Sequence, residues 1–567
     1  MMANHITRGT HTGENIGKTP GLLPPATAAV VFFIYLAFLS GRYNFDGTVF
    51  SLWLGQAVHG HNPGNLFHPH HMLYLPLAFI FTKALSFLGV EAGMAVTLQF
   101  MDAIIASITL VVFFILCFRH TENRFVSTIA SLLLAFSYSF WYLAIEPEVY
   151  ILHALAVLVS ISLLFRYTTF IKPAVPSAGW ICKSVVLGIC GASCVLTHLT
   201  GGLFFLPLFL GSLLYLGKNP SGSPLGRIRS GLPPALLMIV VSLLLISLVY
   251  WIGYEMTPRA AEKGFSNWLI GLASSDTGLG YEKSYWKFSP DMVNLWLSGM
   301  QKNLADGHGP AFLRAPLLVL YVAGIALYIV RLPVMWRKQK NLHLLLLTST
   351  LPLAFFSMVW EPQNFELKTA LHPLLWFAMA LGVNSLTSVL TYGKKTYFIY
   401  GLMIVLVVLL FSHNFYSAIL PGSKPQNNTD LQKAYHVRDH TEKDAVIYMA
   451  GVSGGYRMGK IYVLYFAGRR TRVVDWIIGR GERPFPENLL ISLSKDRNRP
   501  VYVLEELTEE GPALSKLGNN HRIGPQKIKD VFLALNPQPV SRYDKNFALY
   551  RIPPEEIRKL GPLTPRP

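Results

Sequence analysis

The chain has 567 residues, of which 52% are hydrophobic and only 14% charged, with a net charge of +18. Soluble domains carry about 25% charged residues, so this composition excludes a soluble enzyme and points to a polytopic α-helical membrane protein. Excess Lys and Arg hold short loops in the cytoplasm; with no clustered basic stripe or recognition element, no nucleic-acid partner is expected.

Residues 1–25 read as a polar cytoplasmic tail that carries Arg8 and Lys18 and lacks the layout of a cleaved signal peptide. Ala26–Ser40 reads as a retained first span. A long first external loop, 41–93, follows, with Asp46 in "RYNFDGTVF" and three histidines, His68, His70 and His71, in "FHPHHMLYLP". The histidines open an interfacial helix that runs on through the apolar Leu73–Leu88, with Lys83 in its middle holding its ammonium among headgroups.

If that run does not cross, and the N-terminus is cytoplasmic, the remaining apolar segments give eleven spans. Arg119 and Arg124, Arg166, Lys172 and Lys183, Lys218, Arg227 and Arg229, Arg331, Arg337, Lys338 and Lys340, and Lys394 and Lys395 then all lie inside. If it crosses, every later loop inverts against the charge rule. The transmembrane domain is thus expected over 26–418, with a second long external loop at 255–311 whose Trp268, Trp286 and Trp296 suit an interface. Cys117, Cys182, Cys190 and Cys194 lie in or beside apolar runs with no CxxC, so disulfides and zinc are not expected.

"LPGSKPQNNTD" reads as a linker. Residues 425–567 are polar, of domain size, and read as a small extracytoplasmic α/β domain. Strands are expected at Val446–Ala450, Ile461–Phe466, Val473–Trp476, Val501–Leu504 and Phe547–Arg551, and helices at Pro512–Leu517 and Gln526–Leu535.

This topology gathers the unusual polar residues on the outer face: Asp46, the three histidines, Glu146 and Glu148 in "FWYLAIEPEVYILHAL", His198 in "LTHLTGGLFFLP", and Glu361 and Glu366 in "WEPQNFELK". Ionisable groups at the membrane are costly and mark functional sites. Each also has a structural role open to it. Asp46 is placed to cap the following helix, the acids beside Pro147 and Pro362 to mark helix ends, and His198 to end its span. Three histidines raise the question of zinc. The i, i+4 spacing of a helical zinc motif is absent, and on a helix His70 and His71 point about 100° apart. Donation to an anionic phosphate from imidazole N–H groups is the reading preferred here.

Asp46, some twenty residues, and then "HPHHMLYLP" resemble the first external loop of GT-C superfamily membrane glycosyltransferases. The resemblance extends to the transmembrane protein O-mannosyltransferase-like family, whose domain was formerly of unknown function. His68, Pro69, Leu73 and Tyr74 match in kind, whereas His70 and His71 replace that family's Pro-Gly. Glu148, Val149 and Tyr150 match a second run, and "LTHLTGG" a third, together covering roughly residues 30–210.

The resemblance implies a hexosyltransferase of the cell envelope that takes a monosaccharide from a polyprenyl-phosphate donor to an extracytoplasmic protein, lipid or glycan, with the acidic residue of the first loop, Asp46, as the catalytic one. In this reading Asp46 is the base of an inverting transfer. Arg42, His68, His70, His71 and His198 are candidates for the donor phosphate, as are Arg259, Lys263, Lys283 and Lys287. Glu146, Glu148, Tyr150 and Glu361 are candidates for sugar or acceptor. No metal or other cofactor is expected, and a bacterial inner membrane with the site on its outer face is. The alternatives are a transporter or lipid flippase with an outer polar pocket, disfavoured by the absence of internal repeats, and a non-catalytic scaffold.

Overall fold

A computed structural model describes residues 21–169, 178–216, 223–257, 264–266, 268–269, 290–390, 393–479, 483 and 485–560. The chain forms two compact units. The first comprises 1–38, 57–91 and 97–419; the second comprises 39–56, 92–96 and 420–567.

The helices, in chain order, are α1 (Leu23–Ala37), α2 (Phe45–Val58), α3 (Tyr74–Phe87), α4 (Met94–Thr121), α5 (Arg124–Phe136), α6 (Tyr138–Ala144) and α7 (Tyr150–Thr169). There follow α8 (Ala178–Thr197), α9 (Phe205–Tyr215), α10 (Pro224–Met256), α11 (Pro290–Leu304), α12 (Ala311–Val359), α13 (His372–Thr387) and α14 (Lys394–Asn414). All but α2 and the first residues of α4 belong to the first unit.

Six of the described helices are long and apolar enough to cross a membrane, or seven if the pair α5 and α6, bent by 67°, is one span. This makes the protein an integral, multi-pass one. The 49-residue α12 breaks at Gln339, whose dihedrals are non-helical, between Lys338 and Lys340. α3 has 14 residues, and α1 and α13 have 15 and 16, all short of the roughly 20 needed to cross without help. The expected count of eleven spans therefore goes beyond the helices that meet the length criterion.

Polar side chains tie these helices where hydrocarbon offers no partner. Tyr35 donates its hydroxyl to Ala135 O at 2.8 Å, Trp376 its indole N–H to Ser137 Oγ at 3.1 Å, and Asn414 its amide to Phe136 O and Leu304 O at 2.8 and 3.0 Å.

The second unit is built on a five-stranded sheet of order β2-β1-β3-β5-β4. Its elements are α15 (Thr429–Asp439), β1 (Val446–Met449), α16 (Gly459–Tyr465), β2 (Arg470–Val473), α17 (Val474–Gly479), α18 (Glu487–Lys495) and β3 (Val501–Leu504). α19 (Pro512–His521), α20 (Pro525–Leu533), β4 (Gln538–Asp544), β5 (Phe547–Ile552) and α21 (Pro554–Lys559) complete it. β1 pairs in parallel with β2 and β3, and β5 antiparallel with β3 and β4. β1 is buried on both faces, as a central parallel strand must be: Val446 and Tyr448 join one core, Ile447 and Met449 the other.

Two strand expectations are corrected. Ile461–Tyr465 lies in helix α16, with Phe466 as its C-cap, and Val474–Trp476 in helix α17, and the strand between them is the polar Arg470–Val473. β4, with its two register shifts against β5, carries mostly exposed residues and has no apolar run to announce it. The segment read as a linker, from Leu420, folds as a helical turn at Leu420–Gly422 and a 3-10 turn at Pro425–Asn427 before α15.

Gly382 on α13 packs closely on the α12 backbone: a Cβ there would lie 2.9 and 3.0 Å from the Tyr328 Cα and N. A Cβ at Gly401 on α14 would meet nothing within 4 Å. Gly382→Ala is expected to cost about 1–3 kcal/mol by overpacking, while Gly401→Ala costs nothing. Thermal unfolding of the two variants in lipid discs measures the difference, and equal midpoints would contradict the packing described.

Candidate active site

The first unit holds two groups of polar residues that meet in sequence at Tyr74 and Tyr150. The first group is histidine. His68, His70 and His71 do not begin a helix, as the sequence was read; α3 starts only at Tyr74. They form a tight turn, in which His71 N donates to His68 O at 2.9 Å, and the two residues make a one-bridge β contact. This stacks the rings of His68 and His71 at 4.5 Å and 13°, with His70 edge-on to His68 at 5.1 Å. The turn is held from outside. Leu199 N donates to His70 O at 3.2 Å, Leu73 N to Leu196 O at 3.1 Å, and the Tyr250 hydroxyl to Pro69 O.

Those ties bring His198 to the turn. Its ring stacks on His71 at 6.0 Å and 21°, and Tyr150 and His153 lie 5.2 and 5.4 Å away. His198 is not only the end of α8. It caps the following 3-10 turn, its Nδ1 accepting from Thr200 N at 3.2 Å. His68 Nδ1 accepts from His70 N in the same way, at 3.3 Å. An accepting Nδ1 places the proton of a neutral imidazole on Nε2. Burial pushes all four loop imidazoles below the ordinary histidine range. For His68, with His70 adding repulsion, the value falls to about 3.

The second group is acidic. Glu146 and Glu148, in the connection from α6 to α7, are buried, and so is Asp102 on α4. Asp102 Oδ2 accepts the Tyr74 hydroxyl at 2.8 Å and Glu148 N at 3.1 Å, and its Oδ1 has no partner among the described residues. Sequence reading passed over Asp102. Its signal was there, a lone carboxylate in an apolar span. His153, three residues into α7, was also missed.

Glu361 accepts the Asn364 amide at 2.7 Å in the connection from α12 to α13, away from the histidine turn in sequence. The same connection contains a buried ammonium that sequence reading did not single out. Lys368 Nζ donates to Pro362 O and Asn364 O at 2.8 and 2.6 Å; burial, opposed by Glu361, lowers its pKa to about 8.

Asp46 and Arg42 belong to the second unit. The cap of α2 is Asn44, whose Oδ1 accepts from Gly47 N at 2.6 Å, so the Asp46 carboxylate in the first turn is not spent on capping. It is exposed, yet the protein around it desolvates the carboxyl and raises its pKa. Arg42 gives its backbone carbonyl to Asn428 and Tyr462. Arg259, Lys263, Lys283 and Lys287 lie outside the described residues. No group of three or more His, Cys, Asp or Glu among the described residues is arranged to hold a metal ion.

The lowered histidine pKa values fix a pH dependence. Below pH 6.5 the unfolded chain takes up protons that folded His68, His70, His71 and His198 refuse. Stability is therefore kept above pH 6.5 and lost as pH falls towards about 3, where His68 titrates in the fold. The limiting slope is about 1.4 kcal/mol per pH unit for each imidazole. Denaturation of the full chain between pH 7 and 4.5 is expected to be shallower in His68→Gln/His71→Gln. A slope unchanged by the double substitution would contradict the neutral cluster.

No protein-family model matches the chain, and no curated protein matches it significantly. Solved structures do. ArnT from Cupriavidus metallidurans in the apo state superposes with a TM-score of 0.58 at 12% identity, over 94% of this chain and 98% of that one. The apo oligosaccharyltransferase of Archaeoglobus fulgidus gives 0.52 at 12% identity, over 95% and 77%. The oligosaccharyltransferase AglB from the same organism, in complex with an inhibitory peptide and a dolichol-phosphate, gives 0.50 at 12% identity, over 85% and 69%. The chain shares with these structures the GT-C fold, which the motifs of its first two hundred residues resemble.

Proposed function

We propose that the protein is a membrane glycosyltransferase that moves a monosaccharide from a polyprenyl-phosphate donor to an acceptor outside the cytoplasm. The observation that carries this reading is the likeness to ArnT along nearly the whole of both chains. AglB, of the same fold, was solved with a dolichol-phosphate and a peptide, which supports a lipid-phosphate donor here. The acceptor is a protein, lipid or glycan, and the membrane a bacterial inner membrane with the site on its outer face.

In this reading the acceptor hydroxyl attacks the anomeric carbon and its proton passes to the Asp46 carboxylate. The bond from the anomeric carbon to the phosphate oxygen breaks, and the polyprenyl phosphate leaves with the electron pair. One displacement inverts the anomeric centre. A raised carboxyl pKa suits a base that must hold that proton. The loop imidazoles are neutral at pH 7 and donate through Nε2 at His68 and His198, which stabilises the leaving phosphate as its charge develops. Arg42 is a further candidate for that phosphate. Glu146, Glu148 and Asp102 accept from sugar hydroxyls, and Tyr150, packed on His198, offers a ring face. Glu361 serves at one remove, by holding the connection that carries Lys368. The reading calls for no cofactor.

Sugar transfer from polyprenyl-phosphate monosaccharides to envelope acceptors tests it. Asp46→Asn is expected to lower turnover by about 10²- to 10⁴-fold with the protein folded, and chelator to leave the rate unchanged. Full activity in the variant would remove Asp46 from the chemistry. Failure to consume any donor would remove the transferase reading.

A further inference from the structure

In the second unit β1 lies between its parallel neighbours β2 and β3. The chain leaves β1 to one side and returns to the other, so the carboxyl ends of β1 and β3 flank a topological switch point. Open α/β sheets form their ligand crevice there. A cavity of about 190 Å³ opens at this place, between the β1–α16 connection, the residues after β3, Lys433 of α15 and the β4–β5 hairpin.

The connection reads "AGVSGGYRMGK", the glycine-rich kind whose N–H groups cradle phosphate in nucleotide-binding sheets. Here the chain fills the cradle itself. The Glu506 carboxylate accepts from Ala450 N at 2.7 Å and from Tyr456 N at 2.6 Å. A Cβ at residue 455 would collide with Glu506 Oε2, so glycine is what admits the carboxylate. A phosphate entering this loop would have to expel a carboxylate already holding two backbone donors.

The opposite wall carries a cation. The Lys433 ammonium lies 5.7 Å from the ring centre of Tyr456 and 5.2 Å from that of Phe547, within electrostatic reach of Glu506. Asn546 is exposed at the hairpin tip, and Glu505, which also lines the cavity, is ion-paired with Arg542. The charges cancel. What remains is a neutral wall on which acceptor, ammonium and amide alternate. Vicinal hydroxyls match it, because each donates to a carboxylate while accepting from an ammonium or amide. The volume falls below the roughly 300–1,000 Å³ of drug-sized sites, so the cavity has room for one small ring.

We propose that this cavity binds a single neutral sugar ring through its hydroxyls, which makes the C-terminal domain a saccharide-binding module. The inference concerns equilibrium binding of free sugar and stands whether or not the membrane unit transfers one.

The test is saturation-transfer NMR on the full chain in lipid discs, since sugar-headed detergents would compete. The probes are the methyl glycosides of mannose, glucose and galactose, with inorganic phosphate as competitor. At least one glycoside is expected to bind. Asn546→Ala and Lys433→Met are expected to weaken it tenfold or more, and Asp46→Asn to leave it unchanged. Asn546 is exposed, so its truncation spares the fold. No binding by any glycoside, binding indifferent to both cavity variants, or displacement by phosphate at lower concentration than by glycoside would each overturn the proposal. Loss of sugar transfer in Asp46→Asn with glycoside binding intact separates this site from the reaction proposed above.

Discussion

The placement of Asp46 hangs on how the backbone between Leu39 and Asn44 is satisfied. This stretch leaves one helix and enters another without a regular ladder, and unpaired backbone groups there are costly. The remedy comes from far along the chain. Gly41 N donates to Gly422 O at 2.8 Å, and the Asn428 amide, 387 positions beyond Gly41, donates to Gly41 O at 3.1 Å and to Arg42 O at 2.5 Å. The Tyr462 hydroxyl donates to Arg42 O as well. Tyr43 between them takes φ 45°, a left-handed conformation bulky residues rarely adopt, and its ring is held against Phe466 at 5.0 Å. Only then does Asn44 cap α2 and present Asp46. The second unit thus holds the segment that carries Asp46 as part of its own core, with Val49 and Leu52 packed on the same side as Ile447 and Met449.

The first unit solves a different electrostatic problem. Asp102, Glu146 and Glu148 are withdrawn from water beside one another, and among the contacts described Asp102 is met by a phenol and a backbone N–H, not by a cation. The buried ammonium of Lys368, in the connection from α12 to α13, is committed to two carbonyls. The four loop histidines stay neutral. Burying a carboxylate such as that of Asp102 costs stability. Proteins keep such a cost where function needs the groups. The geometry follows from a substitution of type. Where the family resembled has Pro-Gly, this chain has His70 and His71: the His70 ring stands edge-on to His68, and the His71 ring stacks on His68 and on His198.

Much of this was legible in the sequence, and the residues that were not share a cause. Periodicity and composition located the apolar segments and the C-terminal α/β unit. Length was harder: α1 and α13 are mostly apolar yet stop at 15 and 16 residues, and hydropathy alone does not report where a helix ends. The histidine turn was misread as helix because its shape comes from bonds to Leu196, Leu199 and Tyr250, all distant in sequence. Asp102 and Lys368 were missed because each is a single charge, whose importance lies in burial and in partners found elsewhere on the chain.

The C-terminal domain shows the same limit from the other side. "KIYVLYF" is apolar at every position after the first and fits a strand as well as a helix. Gly459 opens it as α16, and the pairing of "RTRV" with β1 decides which of two neighbouring runs enters the sheet. The glycine-rich connection before α16 likewise has the composition of a phosphate cradle. Its electrostatics are set by Glu506, fifty residues on, which turns a site for anions into one that is already satisfied. A motif's chemistry is therefore fixed by what occupies it: the same backbone donors that would draw a phosphate in are spent here on holding a carboxylate still.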